Sequence, residues 1–296
     1  MPFASLSCNN YVAGGAAGHV SQISPNIVFK CPYQFGDPVQ QQIDWMKESV
    51  EKMEAEKVIY QLLTKRPHPN IVPCILCRPE GIFLQKMECT LEERLALAPT
   101  APISTETQEK WVRQLTSAVA WLESLNLVHG DLRPANILLD ANEDIQLCDF
   151  DATVKPGEEL RTAGVPFCKL DEHFEPPPAG PVSEQFSLAS CIYTIRFGHG
   201  PWHDIDPQVM VRKVMRNEMP LVSEDLLFGD IMKRCWLGDY ASIADVEKDI
   251  LSRLGWNGAG EEVLGQKARI KDRESRMQAL RTECERFLAE EAKGRS

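Results

Sequence analysis

The sequence predicts an α+β fold with a small β-rich lobe over about residues 10–88, followed by a larger helical lobe over about residues 89–255. Strand-like runs separated by polar or glycine-rich turns are concentrated in the first segment, and amphipathic helical patterns dominate the second. A length of 296 residues allows one large domain or two lobes that share a cleft. A charged helical tail is expected over residues 256–296.

The composition is that of a globular protein with an acidic balance of charge. Asp and Glu number 43 against 32 Lys and Arg, so the formal net charge is −11. Nucleic acids and anionic membranes select basic surfaces, so neither is expected as a main partner. Without a signal peptide or a long apolar run, the sequence indicates an intracellular protein, cytoplasmic or nuclear.

The ten cysteines are scattered, mostly through apolar stretches, which is typical of reduced thiols in an intracellular protein. Cys74 and Cys77 form a C-x-x-C motif, but no second pair or histidine cluster stands at zinc spacing. The sequence therefore favours buried, unrelated cysteines over a metal or redox site.

The N-terminal elements follow from periodicity and turn residues. Residues 10–31 are predicted to form a strand, a glycine turn and two further strand-like runs. Apolar residues recur at spacings of three and four over 41–63, which predicts a helix ended by the proline-rich turn RPHPN. Strand-like runs follow at 71–77 and 81–87.

The second segment opens with a stronger helix over about residues 105–125, where Thr105 and Gln108 predict a capping box. Two short strands, ANILLD and IQLCDF, flank the turn DANED. Beyond a loop over 151–182, rich in proline, glycine and acidic residues, the chain is predicted to be helical.

The tail is predicted to be a helix that packs on the domain. Fewer than three clean heptads are present, and Arg273 interrupts the pattern, so a coiled coil is disfavoured. Two sets of residues seven apart form its candidate apolar seams: Ile270, Met277 and Cys284 in one, and Leu280 and Phe287 in the other.

The most specific segment is residues 128–151, VHGDLRPANILLDANEDIQLCDFD. Phosphoryl transfer requires a carboxylate beside the attacking hydroxyl and oxygen ligands for magnesium. The pattern predicts that Asp131 orients the hydroxyl and accepts its proton. It also predicts that Asn136 and Asp149 ligate Mg²⁺ and that Arg133 lies near the transferred phosphate.

This segment resembles the catalytic loop and metal-binding motif of the eukaryotic protein kinase superfamily. The resemblance implies a two-lobed protein-kinase-like domain over about residues 10–255, with ATP and Mg²⁺ as ligands and a protein as substrate. AGGAAGHV at 13–20 resembles the glycine-rich loop. GVPFCKLDE at 164–172 resembles the end of an activation segment, closed by Glu172, and SEQFSLASCIYTIRFGHGPW at 183–202 resembles the large-lobe helix.

The resemblance also implies which residues bind ATP. Lys30 falls where the phosphate-contacting lysine lies on the third strand, and Glu56 is its expected ion-pair partner, with Glu54 as the fallback. Gln85 would guard the back pocket. The residues implied around the nucleotide are Gly15, Gly18, Val20, Lys30, Gln85 and the backbone groups of Lys86 and Glu88.

Several positions depart from the family pattern. Gly130 stands where most protein kinases have the arginine that meets a phosphorylated activation loop. Asp151 replaces the glycine of Asp-Phe-Gly, which restricts the backbone and adds negative charge near the metals. The remaining departures are Ala13 for a glycine, Val165 for a threonine, Glu184 for an aspartate, and the lack of an arginine to pair with Glu172.

Three functions therefore stay open: a serine/threonine protein kinase, a small-molecule kinase resembling aminoglycoside and choline phosphotransferases, and a pseudokinase scaffold. The His-Gly-Asp and Asp-Phe-Asp motifs fit the second, whereas the activation-segment and Gly-Pro-Trp features favour the first. The third is disfavoured because Lys30, Glu56, Asp131, Asn136 and Asp149 are all present. The sequence predicts ATP-dependent phosphoryl transfer to protein hydroxyls and leaves the oligomeric state open.

Overall fold

The computed structural model describes residues 3, 6, 8–256 and 259–294, and it describes their side chains except at 8, 259–269, 271, 272 and 294. The strands, β1 to β8, are Tyr11–Gly15, Gly18–Ser24, Ile27–Cys31, Cys74–Arg78, Gly81–Gln85, Cys89–Thr90, Ile137–Leu139 and Ile145–Leu147. The helices, α1 to α8, are Gln40–Lys65, Leu91–Ala96, Thr105–Ser124, Pro181–Phe197, Pro207–Met215, Gly229–Leu237, Ile243–Arg253 and Ala259–Gly294.

The chain forms two compact units, and neither is one continuous segment. The first consists of Met1–Met87, Asp149–Asp151 and Val263–Ser296, and the second of Glu88–Cys148 and Ala152–Glu262. The first holds the larger sheet with α1 and most of α8, whereas the second holds the β6–β8 sheet and helices α2 to α7. A β-rich N-terminal part followed by a helical part confirms the predicted α+β architecture.

The sheet of the first unit is antiparallel, with strand order β1-β2-β3-β5-β4. Its central strand β3 is buried at all five positions and carries Lys30, which pairs with Val20 of β2 and Ile82 of β5. The predicted strands of this segment are confirmed. An ammonium at a buried central strand requires charged partners, because an unpaired buried charge is costly.

Helix α1 presents one buried stripe. Met53, Glu56, Tyr60 and Leu63 recur at spacings of three and four and are all buried, which confirms the predicted helix. Glu56 therefore lies in the middle of an apolar stripe rather than on a solvated face, and its carboxylate also requires a partner.

Helix α8 packs on the sheet of the first unit. Leu280 and Cys284 are buried in one cluster with Phe29 of β3 and Phe83 of β5. The two phenylalanine ring centroids lie 4.6 Å apart. Met277, Phe287 and Leu288 of the same helix are partly buried against this cluster. Arg273 donates a 2.6 Å hydrogen bond to the carbonyl of His68, just after α1.

In the second unit, α3 and α4 supply much of the core. Ser104 is the N-cap of α3, since its hydroxyl accepts a 3.2 Å hydrogen bond from the Thr107 N–H. The capping box predicted at Thr105 and Gln108 is therefore wrong, because Thr105 is already the first helical residue. None of the helices that the structure describes has the properties of a membrane-spanning segment.

Candidate functional site

Lys30 is held by two carboxylates of the first unit. Its Nζ lies 2.7 Å from Oε2 of Glu56 and 2.5 Å from Oδ1 of Asp149. The side chains of Lys30 and Glu56 are 9% and 0% exposed, so the pair is shielded from water. Glu54, the fallback partner, instead forms an ion pair of 2.7 Å with Lys57. The structure thus brings together three of the predicted site residues.

The charges of this cluster follow from burial and proximity. Burial lowers the pKa of Lys30, but the Glu56 and Asp149 carboxylates outweigh it and raise that pKa above its ordinary value. Burial raises the pKa of Glu56 to about 7, against the opposing Lys30 ammonium, and the charges of Asp149 and Asp151 add to the rise. Lys30 therefore stays cationic at neutral pH and can attract phosphate.

The Asp-Phe-Asp motif is attached to α1. The Phe150 N–H donates a 3.3 Å hydrogen bond to Oε1 of Glu56, and the Phe150 ring lies edge-on to Tyr60, with centroids 5.3 Å apart. Asp149 has a φ of 63°, in the left-handed region that Asp tolerates better than most residues. Asp151, where the family has glycine, is buried.

Asp131 is the centre of a hydrogen-bonded group in the second unit. The Asn136 side-chain amide donates 2.8 Å bonds to the Asp131 carbonyl and to its Oδ2, and the Thr162 hydroxyl donates a 3.1 Å bond to Oδ1. Arg133 Nε lies 3.2 Å from Oδ2, on a half-exposed side chain. Because the Asn136 nitrogen makes both bonds, its Oδ1 is the atom of that side chain able to ligate a metal.

His129 and Glu184 support the backbone of this loop. His129 is fully buried, its Nε2 lies 3.0 Å from the Cys148 carbonyl, and its Nδ1 lies 3.3 Å from the Asp131 backbone nitrogen. The Glu184 carboxylate accepts bonds of 3.0 and 3.2 Å from the N–H groups of His129 and Gly130. Burial raises the pKa of Glu184, and these bonds oppose the rise. His129 therefore has a structural place beneath the loop, in contact with backbone groups on both sides.

Gly130 occupies a backbone position that disfavours a side chain. Its φ is +79°, and a Cβ there would lie 2.6 Å from the carbonyl oxygen of Ala152. This close approach is a physical reason for glycine where most of the family has arginine. Glu172, which lacks the expected arginine in the sequence, has a side chain that is 87% exposed.

Thr162 is the residue that sequence reasoning missed. Val165 stands where the family pattern has a threonine, and Thr162, three positions earlier, brings a hydroxyl to Asp131. The surrounding segment is irregular, so no periodicity predicts which of its side chains reaches Asp131. The one feature of the sequence that could have indicated this contact is that Thr162 lies three positions before Val165.

The glycine-rich turn joins β1 and β2. Gly15 pairs with Gly18 across the turn, and the Tyr33 hydroxyl donates a 2.9 Å bond to the Gly15 carbonyl. Gly18 has a φ of +140°, and a Cβ there would lie 2.0 Å from the Cys31 carbonyl oxygen. Glycine at this position is required by the close approach of two backbones.

The segment after β5 has fewer backbone N–H groups available to bind adenine than the resemblance implied. The Lys86 N–H donates a 2.8 Å bond to the Asn26 carbonyl, and the Glu88 N–H donates a 2.9 Å bond to the Leu139 carbonyl. Both N–H groups are therefore engaged within the protein. If Lys86 and Glu88 contact adenine, they do so through their carbonyl oxygens. These oxygens accept a hydrogen bond from the adenine amino group and cannot donate one.

An ammonium fixed between two carboxylates, and a catalytic-loop aspartate bonded to an asparagine five residues later, are typical of phosphotransferases with the kinase fold. Residues 39–236, more than half of the chain, match the model of the protein kinase domain. The chain belongs to the protein kinase family.

Three curated relatives show the range of similarity. The liver/testis phosphorylase b kinase gamma catalytic chain of Bos taurus is 28% identical over 169 residues, 53% of this chain and 38% of that protein. Maternal embryonic leucine zipper kinase of Xenopus laevis is 27% identical over 147 residues, 47% of this chain and 23% of that protein. CBL-interacting serine/threonine-protein kinase 12 of Arabidopsis thaliana is 25% identical over 167 residues, 53% and 34% of the respective chains. The match spans less than two fifths of each relative's length.

Proposed function

We propose that this chain is an ATP- and Mg²⁺-dependent protein kinase that phosphorylates serine or threonine hydroxyls of a protein substrate. The observation that carries the proposal is the position of Lys30, with its ammonium 2.7 Å from Glu56 and 2.5 Å from Asp149. An ammonium kept charged and fixed by two carboxylates is suited to bind the phosphates of ATP. The relative named as a serine/threonine-protein kinase supports the choice of acceptor.

Asp149 and Asn136 are the candidate ligands of magnesium. Carboxylate and amide oxygens are the donors that this hard cation prefers, so the donor set fits. Bound Mg²⁺ would neutralise charge on the phosphates during transfer. The hydrogen bond from Phe150 to Glu56 holds the residue after Asp149 in place, and the two bonds from the Asn136 nitrogen orient its amide oxygen.

Asp131 is the candidate proton acceptor. Its Oδ1 already accepts a hydroxyl, that of Thr162, at 3.1 Å, which is the kind of contact that a substrate hydroxyl requires. The bond from Asn136 to Oδ2 fixes the carboxylate plane. Arg133 supplies a half-exposed cation next to the same carboxylate, where it can attract a phosphate.

The test is transfer of label from radiolabelled ATP with Mg²⁺, offered generic protein substrates alongside aminoglycoside and choline acceptors. Label on serine or threonine of a protein is the expected result, and it should be lost in Asp131→Asn and Asp149→Asn. Asp204→Asn, at a side chain that is 73% exposed, is the matched control and should retain activity.

Two results would overturn the proposal in favour of a rival. Label on a small molecule alone would identify a small-molecule kinase. No transfer, with thermal stabilisation by Mg²⁺ and ATP retained in the wild type, would identify a nucleotide-binding pseudokinase. The same thermal shift should be reduced in Asp149→Asn if this carboxylate holds the metal.

A further inference from the structure

The C-x-x-C motif on β4 is not used by the proposed function. Residues three apart on a regular strand point to opposite faces of the sheet, because side chains alternate. Cys74 and Cys77 do not follow this rule. Their sulfur atoms lie 3.5 Å apart, and both thiols are free.

The cause is an irregularity in the pairing of β4 with β5. Cys74 lies opposite Leu84 and Cys77 opposite Ile82, and the register shifts between Cys74 and Leu76. The shift adds one residue to β4, so that Cys74 and Cys77 lie opposite positions only two apart on β5. Both cysteines therefore occupy the same face of the sheet.

This placement meets the geometric requirement of a disulfide. The positions opposite the two cysteines, Leu84 and Ile82, are two steps apart on β5, about 6.6 Å, which is near the upper end of the Cα separation of about 4.4–6.8 Å that a disulfide allows. The sulfur atoms, already 3.5 Å apart, have to approach to about 2.05 Å for the bond to form.

The two thiols differ in environment. Cys74 is buried, and its hydrogen bond to Cys77 and its burial raise its pKa. Cys77 is partly exposed, and the bond from Cys74 and the nearby Lys57 ammonium lower its pKa, against partial burial and the charges of Glu56 and Glu54. A more exposed thiolate beside a cation is the arrangement of a reactive cysteine.

Lys57 is fixed where it can act on Cys77. Its Nζ lies 2.7 Å from Glu54 and donates a 2.8 Å bond to the carbonyl of Pro79, in the turn that follows β4. The side chain is 6% exposed, so its charge is poorly screened. Cys89, by contrast, is a partly exposed thiol whose pKa is raised by burial and by the charge of Glu93.

We propose that Cys74 and Cys77 form a redox-active dithiol, which hydroperoxides convert into an intrachain disulfide and small dithiols restore. The Cys77 thiolate attacks one oxygen of hydrogen peroxide, the O–O bond breaks, and the leaving hydroxide takes up a proton to become water. The Cys74 sulfur then attacks the sulfenic sulfur of Cys77. The S–O bond breaks, and hydroxide leaves with the Cys74 proton as a second water. Two electrons pass from the thiols to the peroxide.

The motif can be followed on one tryptic peptide. Trypsin does not cut before proline, so the bonds after Arg66 and Arg78 survive, and residues 66–86 contain both cysteines and no third. The reduced full chain is treated with hydrogen peroxide, alkylated with N-ethylmaleimide and digested with trypsin, and the peptides are analysed by mass spectrometry. The expected peptide carries no alkyl group and has lost two hydrogen atoms. Dithiothreitol before alkylation should restore two alkylated positions.

Variants separate the pair from the other thiols. In Cys74→Ser, Cys77 should stop at the sulfenic acid and be trapped by a 1,3-dione, whereas Cys89→Ser should form the disulfide as the wild type does. Two alkylated cysteines after peroxide, or Cys77 as a sulfinic acid beside an alkylated Cys74, would overturn the proposal.

The role of Lys57 is tested with a matched pair of variants. Lys57→Met should slow peroxide consumption by Cys77, because loss of the ammonium leaves less of the thiol as thiolate. Lys52→Met, on the same helix but paired with Glu48 at 2.7 Å, should react at the wild-type rate. Equal rates in the two variants, at equal melting temperatures, would contradict activation by Lys57.

Discussion

The Thr162 hydroxyl donates a 3.1 Å hydrogen bond to Oδ1 of Asp131, while the Asn136 amide donates a 2.8 Å bond to Oδ2. Each oxygen of this carboxylate thus has a fixed donor. Thr162 therefore supplies a hydroxyl contact to this carboxylate from an irregular part of the chain.

Replacing Thr162 should weaken catalysis without unfolding the protein. A hydrogen bond to a charged group contributes about 1.5–3 kcal/mol, so Thr162→Val should lower the kcat of phosphoryl transfer by roughly tenfold to a hundredfold. Steady-state rates and melting temperatures measure this. Thr162→Ser keeps the hydroxyl and should stay within about threefold of the wild type. An unchanged kcat in the valine variant would show that the bond plays no part in transfer.

Replacing Glu184 should lower the stability of the protein, although this residue is not one of the predicted site residues. It accepts the N–H groups of His129 and Gly130, so Glu184→Ala removes the carboxylate that accepts one buried and one partly buried N–H group. We expect the free energy of unfolding to fall by about 2–4 kcal/mol, measured by urea denaturation. Glu224→Ala, at an exposed position, is the control and should change it by less than about 0.5 kcal/mol. Equal effects of the two changes would refute the assignment.

Glu56 should make the stability of the nucleotide- and metal-free protein depend on pH. Its folded pKa of about 7 lies above the ordinary value of 4.5, because burial outweighs Lys30, and Asp149 and Asp151 add to the rise. Between these values the folded state binds more protons than the unfolded state. The contribution is therefore fully present below pH 4.5 and is lost as the pH rises to about 7.

Thermal unfolding of the wild type and Glu56→Gln at pH 5 and pH 8 measures this effect. Relative to the glutamine variant, the wild type should lose stability on the order of 2 kcal/mol between the two pH values. Parallel pH curves for the two proteins would exclude a raised pKa at Glu56.

Asp151 should affect the pH at which stability changes through Glu56. Its charge is one of the causes that raise the pKa of Glu56, so Asp151→Asn should move the stability transition of Glu56 to lower pH. Asp44→Asn, exposed near the start of α1, should leave the transition in place. If both variants titrate as the wild type does, Asp151 has no electrostatic role at this site.

Contacts of α8 should stabilise the first unit. Leu280→Asp places a carboxylate in the cluster that contains Phe29 and Phe83, and we expect it to lower the free energy of unfolding by about 3 kcal/mol or more. Ala279→Asp introduces the same charge at the neighbouring exposed position and should be nearly neutral. Chemical denaturation compares the two variants, and similar losses would mean that helix packing is not the cause.

Elements with a strong periodic or motif signal were predictable. The strand that carries Lys30, the helix that carries Glu56 and the tail helix follow from apolar spacing, and the pairing of Lys30 with Glu56 follows from the family resemblance. These features depend on local sequence patterns that many chains share.

Features that depend on one extra residue or one long-range contact were not predictable. The shift in β4 that brings Cys74 and Cys77 together leaves no mark in the spacing, which alone indicates opposite faces. Likewise, the contact between Thr162 and Asp131 depends on the path of an irregular loop. The cap at Ser104 was missed because two adjacent residues can both serve as caps.

Helix α8 also affects the order in which the protein can be completed during synthesis. The sheet that begins at Tyr11 is covered by side chains such as Leu280 and Cys284, whereas every residue of the second unit precedes Val263. During synthesis, the first unit therefore begins before the second unit, but its last segment, which starts at Val263, is made after the whole of the second unit. Until α8 emerges, Phe29 and Phe83 lack part of their cover, so nascent chains stalled before that point should be the ones that need chaperones.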